Sequence, residues 1–302
     1  MAVAHAEPTT QGTAPRAKTS GDGVAKRILR FLGRAPVHIF LIVMALLWLV
    51  PTFGLFLTSL IPGAEINEGG WWRVIAEPGM ATLDNYRSLF ANDAIIDSLW
   101  TTLWITLGGT LLPILVAALA GYAFAWLEFP GRDWLFIGVI AMLVVPLQMA
   151  LIPIFSLYNT LGLFDTILGL VLFHSAFGLP FAIFLLRNFF LGIPRELLEA
   201  ARIDGASEWR IFFRLVLPLG LPAIASLAIF QFLWTWNDLL VALTFGRDTQ
   251  VITTAIFGQL RQFGSNIDLI ASASFLSLIV PLIVFFSFQR YFVQGLLAGS
   301  VK

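Results

Sequence analysis

Few residues of this 302-residue chain could take part in covalent chemistry, and they do not form a catalytic set. There is no cysteine, and the three histidines, His5, His38 and His174, are scattered along the sequence. Catalysis needs a nucleophile, a base and an orienting group within hydrogen-bond reach of one another. The glycine-rich loop ending in Lys-Ser or Lys-Thr that binds nucleotide phosphates is also absent. The sequence therefore predicts no catalytic residues, no metal ligands and no ATP hydrolysis by this chain.

Isolated polar residues inside long apolar runs are a second group of candidates. Polar side chains are costly in lipid, so within a membrane span they mark a translocation path or bond one helix to another. The path candidates are Gln148, His174, Gln231, Trp234 and Asn237. For His174 the alternative is a hydrogen bond between helices, and for Trp234 it is the aromatic belt at the membrane interface. No acidic residue lies in the core of a run, which argues against a proton- or sodium-coupled carrier and suits a neutral substrate.

The strongest signal is a charged island at 187–217 in an otherwise apolar sequence. Pro194 suits the start of a helix, and Gly205 is a natural stop for it. Ser207 can then cap a second helix, and Pro218 marks the return to an apolar run. The island is therefore predicted to form two short helices at an angle, with Glu199 and Arg202 exposed. It is either an ordinary solvated loop or a surface that enters a groove on another protein.

The composition predicts the elements that position these residues. The chain is 58% hydrophobic and 12% charged, with a mean hydropathy of +0.87, whereas soluble domains carry about 25% charged residues. About 20 apolar residues cross a bilayer as a helix. Six runs fit this length, at 37–60, 98–126, 134–157, 166–186, 215–236 and 269–288. We therefore expect an all-α polytopic membrane protein with six transmembrane helices, and the zero net charge gives no reason to expect a nucleic-acid partner.

The distribution of charge predicts the orientation of these spans. A basic cluster, Lys26, Arg27, Arg30 and Arg34, precedes the first run, so the N-terminus is expected in the cytoplasm. Six crossings return the C-terminus to the same side and put the charged island in an inside loop. The predicted organisation is a disordered cytoplasmic tail at 1–35, a first helix with an acidic outer loop at 36–97, five helices at 98–290, and a cytoplasmic C-terminal tail at 291–302.

The charged island resembles the EAA loop of ABC-importer permeases. The shared pattern is Glu199-Ala200-Ala201-x-x-Asp204-Gly205-Ala206, followed by Phe213, Leu215 and Leu217-Pro218. The stretch at 119–132, Trp236-Asn237-Asp238, and the stretch at 289–295 are similar to carbohydrate-type permeases. The resemblance covers 98–302 and is nearest to the smaller permease subunit of maltose-type importers.

The resemblance implies a type I ABC-importer permease fold, with the EAA loop at 194–218, in the cytoplasmic (inner) membrane of a prokaryote. It also implies four kinds of partner: a second homologous permease, two ATPase subunits, an extracytoplasmic sugar-binding protein and membrane lipid. This chain would bind no cofactor, because the partner ATPase would use ATP and Mg. The implied ATPase-docking residues are Glu199, Ala200, Ala201, Asp204, Gly205 and Ala206.

Two further segments take their expected roles from the resemblance. The last outer loop, at 241–268, would enter the cleft of the binding protein, with 245–250 and 261–266 as candidates. The C-terminal residues 298–302 would contact the ATPase. The expected substrate is a di- or oligosaccharide resembling an α-glucoside. A monosaccharide, a sugar alcohol or glycerol phosphate is an alternative, and a secondary carrier or a membrane-embedded enzyme is disfavoured by the residues above.

Overall fold

Long helices make up most of the structure, a computed structural model that describes residues 21–261 and 266–298. Within these ranges every regular element is helical, as predicted. In chain order the helices are α1 (Gly21–Thr58), α2 (Arg73–Ala76), a 3₁₀ turn (Pro78–Met80), α3 (Asp84–Phe90), α4 (Asp93–Trp126), α5 (Arg132–Met142), α6 (Leu147–Leu161), α7 (Ile167–Leu191), α8 (Arg195–Ile203), α9 (Glu208–Ile211), a π-helical turn (Phe212–Val216), α10 (Leu217–Trp236), α11 (Leu240–Phe245), α12 (Ile252–Arg261) and α13 (Ile267–Ala298).

Five helical stretches among the described residues are long and apolar enough to cross a membrane. They are Ala35–Thr58, Asp93–Trp126, Ile167–Leu191, Glu208–Trp236 and Ile267–Tyr291. Each contains most of one predicted span. The sequence prediction is therefore confirmed for five of the six runs.

The third predicted span, 134–157, is not one continuous helix. It is divided into α5 and α6, which meet at an angle of 100°. The break lies at Pro146, which has an extended backbone (ψ 130°). A proline also disfavours the helical conformation of the residue before it, here Val145, so α5 cannot continue directly into α6. The apolar run thus counts as a sixth span only if both bent helices are taken together.

The N-terminal helix begins earlier than the sequence analysis predicted. The expected disordered tail ended at residue 35, whereas α1 starts at Gly21, because Ala25, Lys26 and Arg27 are among the stronger helix formers. Residues 1–20 lie outside the described part of the chain. The chain divides into two compact units between Phe53 and Gly54, and most side chains at 36–50 in the first unit are exposed apolar groups.

In the second unit α4, α7 and α10 pack against one another, and α13 packs on α10. Small residues let the helices approach closely. A Cβ at Gly121 of α4 would lie 3.1 Å from the backbone nitrogen of Arg187 in α7, and one at Gly109 would lie 3.1 Å from the Cβ of His174. Of the five path candidates, His174 lies in α7, and Gln231 and Trp234 lie in α10.

Candidate functional site

The charged island forms the two short helices that the sequence predicts. We call residues 194–218 the docking element. The chain leaves α8 through Gly205, whose φ is +78°. The Ala206 N–H donates to the Ala201 carbonyl and the Gly205 N–H donates to the Arg202 carbonyl, both at 3.0 Å. These two bonds are the Schellman arrangement that ends a helix at a left-handed glycine.

The second helix starts directly after this turn. The Ser207 hydroxyl accepts a hydrogen bond from the Arg210 N–H at 3.4 Å, which caps α9 as predicted. A π-helical turn then joins α9 to α10 without a break. Pro218 lies at the start of α10 and cannot donate a backbone hydrogen bond, so the helix widens locally at this point. The docking element is therefore continuous with a membrane span.

The docking element has one buried and one exposed side. Leu198 is fully buried and packs in one apolar cluster with Ile211 and Phe212. Ala201 and Ala206 were predicted as docking residues, but they lean against this cluster and are half-buried. Their small side chains let the turn lie close to the spans, and their docking role stays a prediction.

The other four predicted docking residues, Glu199, Ala200, Asp204 and Gly205, are exposed. Two exposed apolar residues were missed by sequence reasoning: Ile203, which is 86% exposed, and Leu197, which is 44% exposed. Leu197, Ala200 and Ile203 recur every three residues, so they form one stripe along α8. That spacing was visible in the sequence and could have identified them.

The charged residues of α8 have different surroundings. Glu199 accepts a hydrogen bond from Arg195 at 2.8 Å and lies on the surface. Arg202 is exposed, as predicted, and its side chain turns back to Glu208, with 2.9 Å between Nε and Oε1. The hydrogen bonds that Arg202 donates to Glu208 raise the pKa of the Arg202 guanidinium above its ordinary value. Arg202 is thus a partner within the docking element.

The second site is a polar cluster between α4, α7 and α10. Gln231 and His174 are buried, and the Gln231 Nε2 donates to the carbonyls of Gly109 (3.0 Å) and His174 (3.2 Å). The Trp234 ring meets the His174 ring edge-on, with 5.3 Å between centroids. The structure therefore brings together three of the five predicted path residues.

Gln148 and Asn237 are not part of the polar cluster. Gln148 is an exposed residue in the first turn of α6, beyond the break in the third run. Asn237 is exposed, and its Nδ2 donates to the Leu233 carbonyl of its own helix at 2.8 Å. The bend at Pro146 sets the position of Gln148, and the end of α10 sets that of Asn237. The polarity of these residues alone could not predict either position.

Asp238 joins the polar cluster although the sequence places it at the edge of a span. Its Oδ2 lies 3.6 Å from the His174 Nε2. The same carboxylate accepts from the backbone N–H groups of Val241 (3.2 Å) and Ala242 (2.9 Å), which caps α11. Several other buried polar atoms have no hydrogen-bond partner among the described residues: the hydroxyls of Thr106, Thr110, Ser175 and Thr235, and the His174 Nδ1.

The segment 245–250, a candidate for entering the binding protein, is held against the chain's own helices. Phe245 is 1% exposed and packs on Tyr158 and Phe173. The Asp165 carboxylate accepts from the backbone N–H groups of Asp248 (2.9 Å) and Thr249 (2.8 Å). Partial burial would raise the pKa of Asp165, but these hydrogen bonds hold it below its ordinary value.

The remaining predicted segments are described only in part. Of the second loop candidate, 261–266, residues 262–265 lie outside the described residues, and so do 299–302 of the C-terminal segment. Among the residues that the structure does describe, no three histidine, aspartate or glutamate side chains converge as they would at a metal site.

Comparisons with known proteins show which family the chain belongs to. A family described as "Binding-protein-dependent transport system inner membrane component" matches residues 109–297. The osmoprotective compounds uptake permease GgtD of Synechocystis sp. is 44% identical over 291 residues, which cover 94% of this chain and 98% of GgtD. The α-glucoside transport system permease AglG of Rhizobium meliloti is 51% identical over 233 residues, which cover 74% of this chain and 61% of AglG.

A solved structure supports the fold. A chain of a bacterial ABC transporter involved in the import of alginate superposes with a TM-score of 0.71, and the match covers 92% of this chain and all of that chain at 23% identity. The fold and the family match define a polytopic membrane subunit of a transporter. The chain belongs to the family of binding-protein-dependent transport system inner membrane components. It is a multi-pass inner-membrane permease, not an enzyme, and its resemblance to the family is confirmed.

Proposed function

We propose that this chain forms half of the translocation path of an ATP-driven sugar importer and receives force from ATPase subunits through α8. A second homologous permease supplies the other half of the path. An extracytoplasmic binding protein delivers the substrate, and the ATPase subunits use ATP and Mg. Both termini and the docking element face the cytoplasm, as the basic residues before the first span suggest.

The observation that carries this proposal is the stripe of Leu197, Ala200 and Ile203 on a rigid projection. Burying apolar surface contributes about 25 cal/mol per Å², and Ile203 leaves most of its side chain in solvent when the chain is alone. Leu198 fixes the opposite side of the helix in the apolar cluster. The stripe is thus free to enter a cleft on an ATPase subunit, where Glu199 and Asp204 flank it with charge.

Closure of the ATPase subunits on ATP would move α8 and, through the continuous helix at 208–236, the spans. Hydrolysis would reset them. This is alternating access driven by rigid elements that have two arrangements.

The polar cluster borders the proposed path. Gln231 and Trp234 line a cavity of about 290 Å³ between α7 and α10, together with Phe177, Phe181 and Phe230. Aromatic faces pack on the apolar faces of sugar rings, and the Gln231 carbonyl oxygen can accept a hydrogen bond from a sugar hydroxyl. Gln148 and Asn237 stay predictions for parts of the path that the second permease completes.

The substrate we propose is a di- or oligosaccharide of the α-glucoside kind, which the 51% identity to AglG supports. The 44% identity to GgtD over nearly the whole chain supports a second candidate, a small osmoprotective solute such as a sugar alcohol or glycerol phosphate. Uptake of radiolabelled maltose, trehalose and a sugar alcohol by the reconstituted importer separates the two. Import of the sugar alcohol alone would reject the α-glucoside.

The docking role is tested with Ile203→Asp in the complete transporter, purified through a tag on this chain. A charge in the apolar stripe is expected to reduce both ATPase co-purification and ATP-driven uptake by about tenfold or more. Ile75→Asp is the matched control, because Ile75 is also exposed (58%) but lies in α2. Unchanged ATPase association in Ile203→Asp would contradict the assignment of α8 as the docking helix.

A further inference from the structure

Glu208 joins the docking element to the span α4. It is the first residue of α9 and accepts hydrogen bonds from two other elements. Arg202 of α8 donates twice, with 2.9 Å from Nε to Oε1 and 3.4 Å from Nη2 to Oε2. The hydroxyl of Tyr122, near the end of α4, donates to Oε2. We call Arg202, Glu208 and Tyr122 the coupling link.

The coupling link is fixed at its membrane end and open at its α8 end. Tyr122 is 5% exposed, and its ring packs on Phe212 with 5.3 Å between centroids. The side chains of Arg202 and Glu208 are 36% and 42% exposed to solvent. An ion pair as exposed as this adds little to stability. Its geometry matters more, because a carboxylate with three donors from two directions fixes the orientation of both partners.

Few other contacts could hold α8 in one direction. Its backbone packs mainly on α9, and the one fully buried side chain in α8 is Leu198. Burial of Leu198 in the apolar cluster keeps α8 attached to the spans, but a single buried side chain still allows α8 to tilt about it. The Arg202–Glu208 pair also spans the Gly205 turn, so it adds a side-chain link between α8 and α9 to the main-chain bonds of the turn.

We propose that Glu208 is the positioning residue through which a movement of α8 reaches α4. The inference rests on the proposed function, since it requires an ATPase that moves α8. Without the coupling link, α8 would still bind the ATPase through its exposed stripe. The ATPase would then tilt α8 about Leu198 without moving α4, and less substrate would be imported for each ATP hydrolysed.

The test measures substrate imported per ATP hydrolysed in proteoliposomes that contain the complete transporter. The probe is the α-glucoside that the wild-type complex imports, chosen from maltose, trehalose and sucrose. Tyr122→Phe removes only the hydroxyl, and Glu208→Gln keeps the size and one acceptor but removes the charge. Both complexes are expected to assemble and to hydrolyse ATP, while import per ATP falls about tenfold, since small misplacements of rigid parts have effects of this size.

Tyr158→Phe is the matched control. Its hydroxyl is also buried and donates to a backbone carbonyl, that of Gly169, at 2.9 Å, but it joins α6 to α7 away from the docking element. Import per ATP should stay at the wild-type value in this variant. The exchange Arg202→Glu with Glu208→Arg restores the ion pair and should recover more import per ATP than either single change.

Two results would overturn the proposal. One is wild-type import per ATP in both Tyr122→Phe and Glu208→Gln. The other is loss of the assembled complex in both variants, which would assign the coupling link to folding. Failure of the proposed function looks different, because the wild-type complex would then contain no ATPase or would import no solute.

Discussion

At the level of single residues, the shape of the docking element depends most directly on Gly205. Its φ of +78° closes the turn between α8 and α9, and a Cβ at this position would meet no atom within 4 Å. An added Cβ therefore acts through backbone strain alone. For an L-residue in the left-handed conformation this strain is about 1–2 kcal/mol. We expect this strain to change the angle of the turn between α8 and α9 and to leave the packing of the spans unchanged.

We predict that Gly205→Val reduces ATP-coupled uptake, whereas Gly205→Asn retains most of it, because asparagine tolerates positive φ. Gly131→Val is the control. Gly131 has nearly the same φ, +80°, and equally open surroundings, but it precedes α5. Uptake and ATPase co-purification are measured for all three variants. Equal losses in Gly205→Val and Gly131→Val would show that general instability is responsible and that the turn has no special role.

At the level of elements, the docking element was predictable because its signals are local. Pro194 precedes α8, Gly205 ends it, and Ser207 caps α9, and each acts within about four residues through the backbone. The coupling link was not predictable in this way. Glu208 and Tyr122 are 86 residues apart, and their meeting depends on how α4 packs against the docking element. A sequence pattern shows that Glu208 is polar but not which helix it faces.

The spans show the same limit. Their existence follows from length and hydropathy, but hydrophobicity is spread almost evenly around α4 and α10, so hydrophobic periodicity does not mark the face that packs on protein. The polar cluster around Gln231 therefore became visible only with the packing of three helices. For the same reason Gln148 was grouped with it, although the bend between α5 and α6 sets it apart.

Gly178 tests the packing of α7 against α10. A Cβ at this position would lie 2.4 Å from the Gln231 Oε1. We predict that Gly178→Ala displaces Gln231, breaks its bonds to Gly109 and His174, and lowers the stability of the unit by about 1–3 kcal/mol, as overpacking does. Gly138→Ala, in α5 with no neighbour within 4 Å, is the control. Thermal unfolding in detergent is the measurement, and equal midpoints for the two variants would contradict this packing.

At the level of the whole molecule, the docking element and the polar cluster use the same helices. Tyr122 and Gly109 both belong to α4, and at about 1.5 Å per residue they lie about 20 Å apart along it. A continuous helix transmits displacement over this distance. Movement at α8 can therefore alter the contacts of Gln231, whose amide donates to the carbonyls of Gly109 and His174.

This arrangement requires the docking element and the short helices near α3 to lie on opposite sides of the membrane. The lack of cysteine allows a direct test, because any introduced thiol is then the only one. Ala200→Cys lies on the exposed face of α8, and Gly79→Cys lies in the exposed 3₁₀ turn, where a Cβ meets no neighbour.

The basic residues before the first span favour a cytoplasmic α8. A membrane-impermeant maleimide should therefore label Gly79→Cys in intact spheroplasts, but Ala200→Cys only after permeabilisation. Labelling of Ala200→Cys from outside would reverse the orientation and make contact between α8 and a cytoplasmic ATPase impossible. Added ATPase subunits should also protect Ala200→Cys in permeabilised cells and leave Gly79→Cys reactive.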